Sequence, residues 1–410
     1  RKNLKEGKNY FESVPKYERF LLPSIIVGSY YYLINEEIYE KRGNNQIVIK
    51  EKNFKFGLLT LQILFYFFSL FFFSKELKKI VNRNLYKCII LFLALEPSIL
   101  QWHSSFWTES IFLSFMLIVF TLLLKKSENI TINLFIGIFL GLMFMQRAVS
   151  FLYFLPVLLY LIFIHKKKIK VYFLFIIGYL FVTLLVGFNN FKKTDHFFLL
   201  SQVHQYSSYY HYFAHDILAD RKKISPKIAR DILYNEEQNW IKENNINIRS
   251  AKDLSKNINY RNQIFLREVK KNKTYVLKKI ITKTIAMCII HPFWVHHHFY
   301  FDKTDPEAKN NPKSYYNKNL LANIPYTIFI YVFVLIGFFT RIRKIFIKNK
   351  FEEFDKFLLF NVISIFYFIS ISCLWGNPKY FAPCMISLSF FFSIGLLELK
   401  KKMFKKKMFK

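Results

Sequence analysis

The chain has 410 residues, of which 53% are hydrophobic and 20% aromatic, and its formal net charge at pH 7 is +33. Apolar runs of about 17–20 residues recur along it, which excludes an ordinary soluble domain and indicates membrane-spanning helices. The lysines and arginines are spread through polar loops and tails, without a nucleic-acid-binding signature. We therefore expect contacts with membrane lipid headgroups and no nucleic acid partner.

The predicted fold class is all-α, a polytopic membrane protein. The predicted spans are 56–73, 86–100, 106–124, 130–145, 149–164, 171–188, 321–340, 357–374 and 381–399. A further apolar stretch, 280–295, is interpreted as a re-entrant or interfacial segment. If it crossed the membrane, the basic 341–356 loop would lie on the opposite side from the other short basic loops.

Short basic loops set the predicted orientation. They are 75–87, 165–168, 341–344 and the tail 400–410, and all fall on one side, which we assign to the cytoplasm. The predicted organisation is a first extracytoplasmic loop with amphipathic helices at 1–55, a bundle at 56–188, a long extracytoplasmic loop or cap at 189–320, C-terminal helices at 321–399 and a cytoplasmic tail at 400–410. Ser225 and Pro226 predict a helix start inside the cap, and a further helix is expected before Arg1.

A polar patch, residues 96–109, lies between two nearly all-apolar segments. It carries Glu96, His103 and Glu109 together with two tryptophans. Ionisable groups at membrane depth are costly and therefore suggest a functional site. Two structural alternatives stay open: Glu109 could stabilise a helix start, and Glu96, which precedes Pro97, could end a helix.

Further polar clusters are predicted on the same outer face. They include Glu18 and Arg19 in the first loop, Gln146 and Arg147 in a short turn, and Lys379 and Tyr380 before the last helix. Arginine and lysine suit phosphate binding, and a carboxylate suits general-base catalysis of an acceptor hydroxyl. Alternatively, the cations could extend to lipid headgroups, and the tyrosine could belong to an aromatic belt.

Four motifs in this order resemble the GT-C membrane glycosyltransferases of the family 39 and lipid A aminoarabinose transferase type. They are an Arg-Phe-x-x-Pro segment from Arg19 to Pro23, the stretch from Pro97 to Leu113, a Gly-Leu-x-x-x-Gln-Arg turn from Gly141 to Arg147, and the Gly-Asn-Pro-Lys-Tyr-Phe-Ala-Pro segment from Gly376 to Pro383. The family usually has arginine where this chain has Lys379.

The resemblance implies a GT-C-like helical bundle that transfers one sugar, with inversion, from a polyprenyl-phosphate donor to a glycan, lipid or protein acceptor. The donor phosphate would lie near Arg19, Arg147, Lys379 and Tyr380, and Glu109 and His103 would orient the acceptor or the base. The family's base is an aspartate in the first outer loop. This chain has no aspartate before Asp195, so we expect that residue upstream of Arg1, with Glu18 as a possible substitute.

No cofactor or metal is required by this chemistry, because cationic side chains could neutralise the leaving phosphate. His291 and the run 296–298, followed by Asp302 and Asp305, are interpreted as a membrane-edge aromatic and histidine cluster rather than a metal site. The four cysteines show no CxxC spacing, and we expect buried thiols.

Two other functions remain open. A polysaccharide polymerase or ligase would use diphosphate-linked donors, and a lipid or sugar transporter would move its substrate without forming a covalent product. The absence of visible internal symmetry argues against the transporter. A bacterial inner membrane, with the site facing the periplasm or exterior, is the expected location.

Overall fold

The computed structural model describes most of the chain after residue 38. The described ranges are 39–42, 46–49, 52–103, 108–125, 131–165, 169–194, 209–247, 251–289, 312–348, 351–373 and 381–408, with a few isolated positions elsewhere. The structure in these ranges is almost entirely helical, so the all-α prediction is confirmed.

The helices are numbered in chain order. They are α1 (Lys52–Ile80), α2 (Arg83–Leu95), α3 (Pro97–His103), α4 (Thr108–Leu124), α5 (Thr131–Gln146), α6 (Phe154–His165), α7 (Ile169–Thr194), α8 (His215–Lys222), α9 (Pro226–Glu243), α10 (Ala251–Lys271), α11 (Lys273–Ile289), α12 (Pro312–Lys348), α13 (Glu353–Ser372) and α14 (Ala382–Met408). A 3-10 turn, Ala148–Ser150, precedes α6, and a π-helical turn, Tyr210–Ala214, leads into α8.

The described part of the chain contains one departure from all-helical structure. Strands β1 (Tyr39–Arg42) and β2 (Gln46–Ile49) pair antiparallel, with Tyr39 opposite Ile49 and Arg42 opposite Gln46. Amphipathic helices were predicted for the whole 1–55 loop, so the hairpin differs from that expectation. β2 contains three consecutive β-branched residues, Ile47, Val48 and Ile49, and such residues favour a strand.

Among the described residues, five helices are long and apolar enough to cross a membrane. These spans are Phe56–Ile80, Ile169–Lys192, Ile324–Ile347, Glu353–Ser372 and Ala382–Met403. Exposed phenylalanines along α1, such as Phe68 and Phe71, suit lipid contact, since lipid removes the penalty for exposing apolar side chains. The chain therefore has the architecture of a multi-pass membrane protein.

The remaining predicted spans differ from expectation in length or continuity. The predicted span 86–100 is divided between α2 and α3, which meet at an angle of 49°. The apolar helices Glu109–Leu124, Thr131–Gln146 and Ala148–Ile164 are each shorter than 18 residues, whereas a straight span needs about 20. Their composition was predicted correctly, but their length alone does not make them spans.

Contacts group the chain into two compact units, and each is described by itself. The first unit contains the described residues of 144–148 and 180–283, and the second contains those of 37–143, 149–179 and 284–410.

Glycines bring helices of the second unit into close contact. A Cβ added at Gly337 of α12 would lie 1.9 Å from the backbone oxygen of Phe391, and one at Gly395 of α14 would lie 1.9 Å from that of Phe333. The α5–α7 crossing repeats this arrangement at Gly137 and Gly178. Small residues at such crossings let helix backbones approach closely, which is how apolar helices gain packing energy in lipid.

Aromatic rings fill the interior of the second unit. Phe120, Phe357 and Phe360 lie within 6 Å of one another and are almost fully buried. The polar atoms buried beside them have partners: the Tyr153 hydroxyl lies 2.8 Å from the Ser364 Oγ. The four cysteines are free thiols, of which Cys384 is buried and the other three are partly buried.

The first unit contains a helical core built from α8, α9 and α10. Ala214, Leu218, Leu233 and Ile264 are among its buried apolar residues. The predicted helix start at Ser225 and Pro226 is confirmed: Pro226 is the first residue of α9, and the Ser225 Oγ accepts a hydrogen bond from the Ile228 N–H.

A buried carboxylate joins three elements of this core. Glu237 of α9 accepts hydrogen bonds from the Tyr210 hydroxyl (2.9 Å), the Asn257 Nδ2 (3.1 Å) and the Arg261 Nε (2.8 Å). The side chains of Glu237 and Arg261 are only 3% and 14% exposed. The ion pair is therefore largely desolvated, so removal of either charge would leave the other without compensation.

Substitution of Gly337 by leucine should disrupt the α12–α14 crossing, because the added side chain overlaps a backbone oxygen that cannot rotate away. Overpacking of this kind costs about 1–3 kcal/mol. We expect the thermal unfolding temperature of the full chain in detergent to fall by several degrees. Val332→Leu, on an exposed position of the same helix, is the matched control, and an equal effect of both substitutions would contradict the prediction.

Glu237→Gln should destabilise the α8–α10 core by about 3 kcal/mol, the order expected when one member of a buried ion pair is removed. Hydrogen exchange of the full chain would show faster opening across α9 and α10. Glu243→Gln, on an exposed position of α9, should leave the exchange rates unchanged. Unaltered exchange in the Glu237 variant would show that the ion pair contributes little.

Candidate functional site

The site begins at the break between α2 and α3. Glu96 has extended backbone angles (φ −62°, ψ 123°), and its N–H donates to the Phe92 oxygen, which ends α2. Pro97 then begins α3, where its missing N–H has no cost. The Glu96 Oε2 accepts hydrogen bonds from the Ser98 hydroxyl and from the Ile99 N–H (2.9 Å). Glu96 thus caps the new helix, which supports the structural role that the sequence suggested for it.

His103 is the last residue of α3, and its side chain lies in the interior. The residue is 3% exposed, and its ring stacks against the Tyr66 ring of α1 with centroids 3.9 Å apart. The Nδ1 atom lies 2.6 Å from the Ser110 Oγ of α4. The Nε2 atom is buried and has no hydrogen-bond partner among the described residues. A buried imidazole nitrogen of this kind is available to an incoming polar group.

Glu109 lies in the first turn of α4 and is 2% exposed. A carboxylate at this position is favoured by the partial positive charge of the helix N-terminus. Because Ser110 directly follows Glu109, its hydrogen bond to His103 places the imidazole beside the turn that carries this carboxylate. The structure therefore brings together two of the predicted site residues, His103 and Glu109.

The Tyr66 hydroxyl connects this cluster to the break in the helix. It donates a hydrogen bond to the Leu93 oxygen (2.7 Å), in the last turn of α2. Three helices and the start of a fourth thus hold one polar cluster, which we define as Tyr66, Glu96, His103, Glu109 and Ser110 and call the bend cluster.

Chemically, the bend cluster combines an imidazole, two hydroxyls and two carboxylates in an apolar setting. An imidazole nitrogen can accept or donate one hydrogen bond according to its tautomer, and a carboxylate can accept one from a ligand hydroxyl. Electrostatic interactions and hydrogen bonds are stronger where water is excluded. Such a cluster can bind and orient a hydroxyl-bearing ligand.

Tyr66 was not among the predicted site residues. The signal was nevertheless present in the sequence, because Gln62, Tyr66 and Ser69 are spaced i, i+4 and i+7, on one face of an otherwise apolar helix. All three are buried. Ser110 lies within the motif from Pro97 to Leu113, but no role is predicted for it. The direction of its side chain depends on where α4 begins, at Thr108.

Arg147 follows α5 and is 5% exposed, next to the buried Gln146. It belongs to the first unit, whereas the bend cluster belongs to the second. A guanidinium at this depth needs partners that compensate for its desolvation, which is consistent with the predicted functional or helix-pairing role.

The other predicted site residues, Glu18, Arg19, Lys379 and Tyr380, lie outside the described residues, as does the histidine-rich stretch 290–311. Within the described ranges, no three histidine, cysteine or carboxylate side chains form a possible metal site.

Glu96→Ala should shorten or loosen α3, because the Ile99 N–H loses its acceptor. Loss of a helix cap costs about 0.5–2 kcal/mol, so we expect a lower unfolding temperature of the full chain in detergent. Glu76→Ala, at an α1 carboxylate whose partner Lys79 is exposed, should have almost no effect. Equal stability of the two variants would contradict the capping role.

Comparison with known proteins adds no relative. The chain matches no protein-family model, and no curated protein or solved structure shows significant similarity to it. The GT-C resemblance therefore depends on the four motifs and is carried forward only as a proposal.

Proposed function

We propose that this chain is an integral-membrane glycosyltransferase that uses a polyprenyl-phosphate sugar donor. The observation that carries the proposal is the bend cluster, in which the buried Nε2 of His103 is available to a ligand beside the Glu109 turn. Buried ionisable groups within a bundle of membrane-spanning helices suggest a functional site. The ordered motifs supply the class of reaction.

In the proposed reaction, the acceptor hydroxyl attacks the anomeric carbon of the donor. A new carbon–oxygen bond forms as the bond from the anomeric carbon to the phosphate oxygen breaks, and polyprenyl phosphate leaves. The acceptor proton passes to a carboxylate base, and Glu18 is the residue of this chain that would take the place of the family's first-loop aspartate.

The side chains of the bend cluster would position the reactants. His103 would hold a hydroxyl of the acceptor or sugar through Nε2, while Ser110 fixes its ring through Nδ1. Glu109 would accept a second hydroxyl hydrogen bond. Arg147, with Arg19, Lys379 and Tyr380, would bind the donor phosphate, since cationic donors suit phosphate oxygens. The long apolar helices would accommodate the isoprenoid tail, and the reaction would take place on the extracytoplasmic face, as in a bacterial inner membrane.

A transfer assay with the full-length protein tests the proposal. The protein, reconstituted in lipid vesicles, receives a radiolabelled polyprenyl-monophosphate sugar together with membrane extract as the source of acceptor, and release of polyprenyl phosphate is measured. His103→Ala should lower the rate at least about tenfold, since a single hydrogen bond to a reacting group contributes a factor of this order. Arg147→Ala should raise the donor concentration needed for half-maximal rate.

His211→Ala, at an exposed histidine of the π-helical turn, is the matched control and should retain the wild-type rate. Release from a polyprenyl-diphosphate donor alone would instead indicate a polymerase or ligase. Movement of lipid-linked sugar across the vesicle membrane without covalent product would indicate a transporter. Either result, or equal rates for the two histidine variants, would overturn the proposal.

A further inference from the structure

A polar groove lies along α11 in the first unit, separate from the bend cluster. Its volume is about 340 Å³, and it opens to the surface. The lining consists of two lysines, an aspartate, an asparagine and three hydroxyl side chains: Asp220, Asn272, Thr274, Tyr275, Lys278, Lys279 and Thr282. The groove therefore offers several hydrogen-bond donors to one ligand.

The carboxylates at this groove already have partners. The Asn272 Nδ2 donates to the Asp220 Oδ2 (2.9 Å), and the Lys279 Nζ lies 3.0 Å from the Asp216 Oδ2. The Lys279 Nζ also donates to the Tyr275 hydroxyl (3.2 Å). Burial opposes the charge on Lys279, but its hydrogen bonds to Asp216 and Tyr275 outweigh this effect and raise its pKa.

Positive charge surrounds the groove. Lys270 and Lys271 end α10, Lys273 begins α11, and Lys278 lies at the groove itself; all four are exposed. These lysines outnumber Asp220, the carboxylate that lines the groove, and a surplus of positive charge favours an anionic ligand.

The same helix presents an apolar stripe next to the groove. Leu277 is 60% exposed and Ile281 is 50% exposed. Isoleucines recur at the same four-residue interval along α11 at Ile285 and Ile289, and both are also exposed. Residues four apart lie on one face of a helix, so α11 combines exposed lysines with a continuous row of large aliphatic side chains.

We propose that α11 lies in the membrane interface and that its groove binds the headgroup phosphate of an anionic membrane phospholipid. The stripe from Leu277 onward would contact the acyl chains, while Lys278 and Thr274 would hold the phosphate. This combination of an apolar face and lysines is the pattern of interfacial helices that select anionic lipid. The proposal does not depend on sugar transfer.

The choice of a phospholipid follows from the two surfaces together. A free phosphate or sugar phosphate would use the groove but would leave Leu277 and Ile281 in water. A partner protein could cover the stripe, but the four exposed lysines would then require an acidic partner surface. One anionic lipid molecule would place its phosphate in the groove and its acyl chains against the stripe. The chain also has helices long enough to anchor the protein in a membrane.

Photo-crosslinking in lipid nanodiscs tests the proposal. The full-length protein is reconstituted in an equal mixture of phosphatidylcholine and phosphatidylglycerol, with a trace of either lipid carrying a diazirine in its acyl chain. Mass spectrometry then locates the adducts. We expect adducts on α11, with phosphatidylglycerol favoured about fivefold or more, since one lysine near an anionic surface contributes about that factor. Lys278→Glu should reduce the preference about fivefold while adducts with phosphatidylcholine persist.

Two matched controls make the result specific. Lys227→Glu, at an exposed lysine of α9, should leave the lipid preference unchanged. Ile281→Asp should reduce adducts with both lipids, whereas Ile228→Asp, at a comparably exposed position, should not. Absence of adducts on α11 would overturn its interfacial placement. Equal labelling by the two lipids would overturn headgroup binding.

Discussion

A polar group inside an apolar helical bundle must find its hydrogen-bond partner within the protein, and this constraint determines how the second unit is built. Lipid supplies no donor or acceptor, so each unpaired group costs several kcal/mol. Tyr66 meets the constraint by donating to the Leu93 oxygen, and Tyr153 does so by pairing with Ser364. His103 meets it only at Nδ1. Because pairing is otherwise so strongly favoured, this half-satisfied imidazole is the reason that we propose the bend cluster as a ligand site.

The break at Pro97 makes that cluster possible. In a continuous helix from Arg83 to His103, the last turn would lie on the α2 axis. The 49° bend instead turns α3, which ends at His103, away from that axis. Glu96 stabilises the bend by accepting the first hydrogen bonds of α3. Glu96, which the sequence suggested could end a helix, therefore acts structurally, and His103, at the other end of α3, occupies the candidate site.

Local patterns predicted much of the fold because they depend on short-range physics. Apolar runs predicted the helices, and Ser225 with Pro226 predicted the start of α9, since capping depends only on adjacent residues. Helix partners were not predictable in this way. Nothing local to Gly337 shows that its backbone meets Phe391, because that contact depends on two segments far apart in the chain. The hairpin of β1 and β2 was missed although Gly43 and Asn44 are common turn residues.

In the site, His103 and Glu109 were predicted from their charge, whereas Tyr66 was missed because one hydroxyl in an apolar run resembles ordinary core.

The two units stabilise their polar groups by different means, and the difference follows from composition. In the second unit, several hydroxyls and amides donate to backbone oxygens of helices, as the Asn361 Nδ2 does to the Phe357 oxygen. In the helical core of the first unit, charged pairs such as Arg261 with Glu237 and Arg267 with Glu236 join the helices. Ion pairs require partners fixed by tertiary structure, and each loses much of its value when exposed to water. Backbone acceptors, by contrast, are present at every helical turn. A bundle that uses them can carry serine, asparagine and tyrosine deep in its interior, beside a histidine whose Nε2 has no hydrogen-bond partner among the described residues.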